Sequence, residues 1–131
     1  MAPTRNTLSA LGETEIEILN IVWRLGRVSV AEVREAMERE VAHNTVQTIM
    51  RKLSRKGYLN AELVGKTHFY TPSQSEDKVK RGILTGLVSS VFEGSHLDLV
   101  RTMARSQTFT EAELEELKTL IDQLSREGGE S

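Results

Sequence analysis

The hydrophobic period of this chain changes from helical to strand-like at Gly57, and that change narrows the fold more than any other feature. Before it, Val46, Ile49, Met50 and Leu53 recur at the spacing of one helical face. After it, residues 58–64 alternate roughly as a half-buried strand does, and Gly65-Lys66 supplies a turn. Residues 67–71 are β-branched and aromatic, which predicts the returning strand of a hairpin, closed by Pro72.

Two helices are predicted upstream. The first, over 13–25, is apolar around most of its circumference through Ile16, Ile18, Leu19, Ile21, Val22, Trp23 and Leu25, the pattern of a central, buried helix. Trp23 belongs to the core, with its indole N–H needing a carbonyl. Ser29 and Glu32 have capping-box spacing and open a second helix that should run to about Glu40, with Val30, Val33 and Met37 inward. Only Val41-Ala42-His43 then precede the helix over 44–56. Helix, helix, short connection, helix, hairpin is the order of a winged helix-turn-helix, whose second paired helix enters a DNA major groove.

The rest of the chain is helical. One helix is predicted over 75–92 and a short one over 95–105. A third opens at Thr110, where Thr110 and Glu113 repeat the capping-box spacing. The expected organisation is a flexible arm over 1–10, a winged helix-turn-helix domain over 11–72, a three-helix dimerisation domain over 73–127 and a frayed tail over 128–131. The fold class is mainly α with a small β-hairpin. The apolar rows of the second domain are broad for so small a unit, and a symmetry mate can bury the surplus. The expected homodimer face comprises Ile83, Leu87, Val91, Val100, Met103, Leu114, Leu117, Ile121 and Leu124.

Composition excludes several function classes. There is no cysteine in the 131 residues, which removes disulfide scaffolds, thiolate zinc sites and thiol switches. His43, His68 and His96 share no ligand spacing, so no metal and no cofactor is expected, and His96 is read as structural. No glycine-rich phosphate loop or nucleophile elbow is present, so no enzyme is expected. No apolar run approaches the ~18 residues of a membrane span, and no signal-peptide core follows the N-terminus, so the expected location is the cytoplasm, without membrane insertion. The net charge of −2 hides an asymmetry: residues 41–72 hold five Lys/Arg and one acidic residue, whereas residues 73–131 carry a net −4. A basic working surface beside an acidic module is implied.

The polar face of the helix over 44–56 has what groove reading requires. Asn44 and Gln47 can bond adenine edges, and Thr45 and Thr48 offer hydroxyls and methyls to thymine. Arg51, Lys52, Arg55 and Lys56 can grip phosphates, with Lys66 reaching from the hairpin tip. Each feature has a plainer reading: a polar helix face is often only solvated, and terminal Arg/Lys residues can complement the helix dipole. His43 could touch a phosphate or be a surface residue beside the helix start. His68 could do so too, or serve as an edge-strand residue.

These residues carry a resemblance. Leu11-Gly12-Glu13-Thr14-Glu15, Ile21-Val22-Trp23, the block 44–53, Lys56-Gly57-Tyr58-Leu59, His68-Phe69-Tyr70-Thr71-Pro72 and the stretch 110–117 together resemble the penicillinase-repressor family of transcriptional regulators. The resemblance implies a homodimeric repressor on a dyad-symmetric, double-stranded DNA operator. It places Asn44, Thr45, Gln47, Thr48 and Arg51 at the major groove, and Lys52, Arg55 and Lys66 toward phosphates. In antibiotic-resistance members a membrane-bound sensor protease cuts between Asn and Phe in the fifth helix; Thr102-Met103 stand at that position here. Copper-responsive members bind metal through cysteines, which this chain lacks. The expected function is therefore DNA-binding repression. The alternative is a winged-helix protein–protein interaction module docking an acidic partner.

Overall fold

The computed structural model describes residues 11–129. The arm expected over 1–10, and residues 130–131 of the expected tail, lie outside the described residues.

The elements in order are α1 (Glu13–Leu25), β1 (Val28–Ser29), α2 (Val30–Ala36), α3 (His43–Arg55), β2 (Leu59–Val64), β3 (Thr67–Pro72), α4 (Glu76–Val91), α5 (His96–Arg105) and α6 (Glu111–Gly129). Local chemistry explains most of the boundaries. Ser29 Oγ accepts from Glu32 N–H while Glu32 Oε1 accepts from Ser29 N–H, the reciprocal cap the spacing predicts. Thr110 and Glu113 form the same pair at α6. Ser75 and Ser95 cap α4 and α5 by accepting from Lys78 and Asp98 N–H. At the end of α3, Gly57 adopts φ +91°, Tyr58 N–H donates to Leu53 O at 2.9 Å and Gly57 N–H to Ser54 O at 3.1 Å. That is a Schellman ending, which favours glycine at its left-handed position. It turns the chain from helix to wing.

The structure corrects several expectations. The helix expected to reach Glu40 stops at Ala36, because Met37 takes extended backbone (ψ 143°) and its side chain is buried in the core. The connection to α3 is thus residues 37–42, and His43 is the first residue of α3 rather than part of the connection. Arg34 Nε donates to Val41 O and Arg39 Nη2 to Glu17 Oε1 and Thr14 Oγ1, which tie that connection to α1 and α2. A third strand, β1, was not legible at two residues. It pairs antiparallel with β3, so the sheet order is β1-β3-β2. Gly128 and Gly129 continue α6 rather than starting a tail. His96 is exposed, so it has no structural role in the core.

One core joins all elements of the first domain. Ile18, Leu19 and Val22 of α1, Val33 of α2 and Val46, Met50 and Leu53 of α3 are fully buried, with Leu59 and Tyr70 from the wing. Trp23 packs against this core, half-buried, and its indole N–H donates to Gln74 O at 3.0 Å. Gln74 in turn donates to Gly57 O, fastening the exit of the wing to the end of α3. The core extends past Pro72: Val79 belongs to it and Ile83 packs on it. Ile83 therefore faces the winged helix rather than an open dimer face.

Beyond Ile83 the helices bury little. α5 has no buried residue, and Val91, Leu97, Val100, Leu114, Ile121 and Leu124 are exposed. Among the described residues no helix is long and apolar enough to cross a membrane.

Candidate nucleic-acid interface

α3 divides into two faces. Val46, Met50 and Leu53 are completely buried, and Ile49 packs against the core. The opposite side leaves Asn44, Thr45, Thr48, Arg51, Lys52 and Arg55 exposed, with Gln47 half-buried. The burial of one face thus decides the presentation of the other. The helix starts after Ala42, which has no capping side chain to accept its first N–H groups, so the N-terminal end is open to an anion.

The wing completes the surface. Gly65 holds φ +65° at the hairpin tip, and β2 and β3 run in register from Leu59 opposite Pro72 to Val64 opposite Thr67. This register brings Lys66 and His68 to one shallow groove with His43 and Gln47 of α3 and Ser29 at the start of α2. Four predicted residues, distant in sequence, are gathered there. His68 lies 6.5 Å from the Tyr70 ring, centroid to centroid, and remains exposed.

Lys56 does not join this set as expected. Its Nζ donates to Glu15 Oε2 at 3.1 Å and to Oε1 at 3.3 Å. Glu15, 7% exposed, also accepts from Gly12 N–H at 2.7 Å. Lys56 is a structural cation between α1 and α3. Lys52 Nζ stands 3.9 Å from the same carboxylate and stays half-exposed, so it can still reach outward. Burial raises the Glu15 pKa, but the Gly12 N–H and the Lys56 and Lys52 charges outweigh it and hold the carboxyl below its ordinary 4.5. Because the folded value is depressed, the stabilisation is fully present above 4.5 and lost as pH falls through the lower folded value. Glu15→Gln is expected to destabilise the domain by about 1–2 kcal/mol at neutral pH, and much less in acid. Denaturant melts at both pH values measure this; an equal loss at both would refute it.

Sequence reasoning missed Glu15, Arg27, Arg34 and Arg39. Gly12 and Glu15 do have the spacing of a helix start, which is the one signal that could have singled out Glu15. The partners of the three arginines lie too far along the chain for any local pattern, with one exception, Val41. Among the described residues no group of three or more His, Cys, Asp or Glu residues could hold a metal.

Residues 11–123 match the sequence pattern of the penicillinase repressor family. The chain belongs to that family. It is a family of DNA-binding transcriptional repressors, not of enzymes. Penicillinase repressor of Staphylococcus aureus is 24% identical over 114 residues, which cover 86% of this chain and 90% of that protein. Methicillin resistance regulatory protein MecI of Mammaliicoccus sciuri is 23% identical over 119 residues, 89% of this chain and 97% of its own length. In backbone the chain is similar to a MarR mutant from E. coli complexed with operator DNA (TM-score 0.53, 13% identity, covering 92% of this chain and 81% of that one). YusO of Bacillus subtilis has the same TM-score at 18% identity, covering 89% and 76%. At these identities the likeness establishes the winged-helix fold.

In this chain Thr102 and Met103 lie in α5 and both are half-buried. The helix runs unbroken through this pair, and Thr102 Oγ1 donates to Asp98 O one turn back.

Proposed function

We propose that the protein represses transcription as a homodimer, each subunit reading one half of a dyad-symmetric operator with α3 and gripping the flanking backbone with the wing. The observation that carries this reading is the groove that joins His43 and Gln47 of α3 to Lys66 and His68 of the wing, beside an exposed polar face with Arg51, Lys52 and Arg55. Asn44, Thr45, Gln47, Thr48 and Arg51 are the base-reading set. His43, Lys52, Arg55, Lys66 and His68 are the phosphate set. The exposed apolar residues of α4–α6 support the dimer, which sets half-site spacing and works in the cytoplasm. A membrane-bound sensor protease is the partner that the family suggests for derepression; Thr102-Met103 stand where the Asn-Phe cleavage pair would be, so that cut site is absent here and derepression would need a protease of another preference.

Binding of DNA from upstream of the gene, followed by fluorescence anisotropy over a salt series, tests the assignment. Lys52→Ala, in the phosphate set, is expected to weaken binding across sequences and to reduce the salt slope by about one per subunit. Gln47→Ala should instead relax preference at one base pair by about 1–3 kcal/mol, with the salt slope retained. Unchanged affinity and selectivity in both variants would reject α3 as the reading helix.

A further inference from the structure

The basic stretch 41–72 contains one acidic side chain, Glu62, and it stands on the wing in β2. A bare carboxylate on a surface that approaches phosphates opposes binding. Glu62 is not bare. Arg27, from the link between α1 and β1, donates through Nη2 to Glu62 Oε1 at 3.3 Å. Its guanidinium carbon lies 4.3 Å from the centroid of the Phe69 ring. Glu62 and Phe69 are directly opposed across β2 and β3, and Phe69 is opposed to Ser29 of β1. One side chain therefore reaches from beside the edge strand across β3 to the carboxylate on β2.

Arginine suits both contacts: its flat face stacks on a ring while its N–H groups bond a carboxylate. The side chains of the pair are 51% and 68% exposed, so the bond contributes little to folding. Its larger consequence is electrostatic. We propose that Arg27 is a positioning residue of the DNA interface: held on Phe69, it masks the Glu62 charge and keeps the wing's field positive toward the phosphate backbone. This inference rests on the wing contacting DNA.

Operator affinity of the full-length protein, measured over a salt series for Arg27→Gln, Glu62→Gln and the double variant, tests the mask. Arg27→Gln is expected to weaken binding about fivefold and to make the salt slope shallower, because it uncovers a negative charge near phosphates. Glu62→Gln should bind at least as tightly as the wild type. The double variant should return to within about twofold of the wild type, because it carries neither charge. A merely structural role would shift the melting temperature without that rescue. A double variant as weak as Arg27→Gln, or an inert Arg27→Gln, overturns the proposal. Lys66→Ala in the same series reports on the wing separately: if it weakens binding while Arg27→Gln does not, only the mask is wrong. If both are inert, the wing reading falls too.

Discussion

Ile121→Asp together with Leu117→Asp is expected to leave the protein monomeric and to weaken operator binding by about 10²–10⁴-fold. Two half-sites bound by one dimer gain from effective concentration what two monomers must supply separately. Ile121 is 53% exposed and Leu117 half-buried in the isolated subunit, and α6 carries both on its Leu114–Leu117–Ile121–Leu124 row. A charge there disturbs little within the subunit and would be buried without a partner in a dimer. Light scattering reads the mass, and anisotropy on a full operator against an isolated half-site reads the affinity. The variant should bind the half-site as the wild-type subunit does. A mass unchanged at dimer size would place the interface elsewhere.

Leu53→Ala is expected to cost about 2–5 kcal/mol of folding stability and to lower the melting temperature by roughly 8–20 °C. Leu53 is completely buried near the C-terminal end of α3, where its carbonyl also accepts the Tyr58 N–H that closes the helix. Removing its side chain opens a cavity beneath the basic half of the polar face of α3. Operator binding should fall along with stability, because Arg51, Lys52 and Arg55 depend on that packing for their position. Arg51→Ala, exposed, should lose binding with the melting temperature unchanged. A thermal melt of the two variants side by side separates packing from contact; an unshifted Leu53→Ala melt would contradict the buried face.

Helix ends set by side chains close in sequence were legible before the fold. Ser29 with Glu32, Thr110 with Glu113, and Gly57 each act within a few residues, so their chemistry is written locally. The two faces of α3 were legible for the same reason, since a helical period needs no partner to be recognised. The end of α2 was not. Charged residues 38–40 continue a plausible helix, yet Met37 leaves it to reach the core, and packing outweighs propensity there. Two residues of β1 carry no period at all; their strand exists because β3 offers them a ladder. Ile83 fits the apolar row of a dimer helix, and only the placement of α4 against the winged helix shows that it packs inward.

By itself the sequence determined the order of the helices and the hairpin, the polar face of α3, the absence of thiol chemistry and the concentration of positive charge in residues 41–72. The tertiary structure decided which charges of that stretch are already paired. Lys56 is held by Glu15, 41 positions away in the chain, and Glu62 by Arg27, 35 positions away. The physical reason is range. Periodicity and capping act over a few neighbouring residues, whereas ion pairs act over a few ångströms of space, and only the folded chain says which charges are that close.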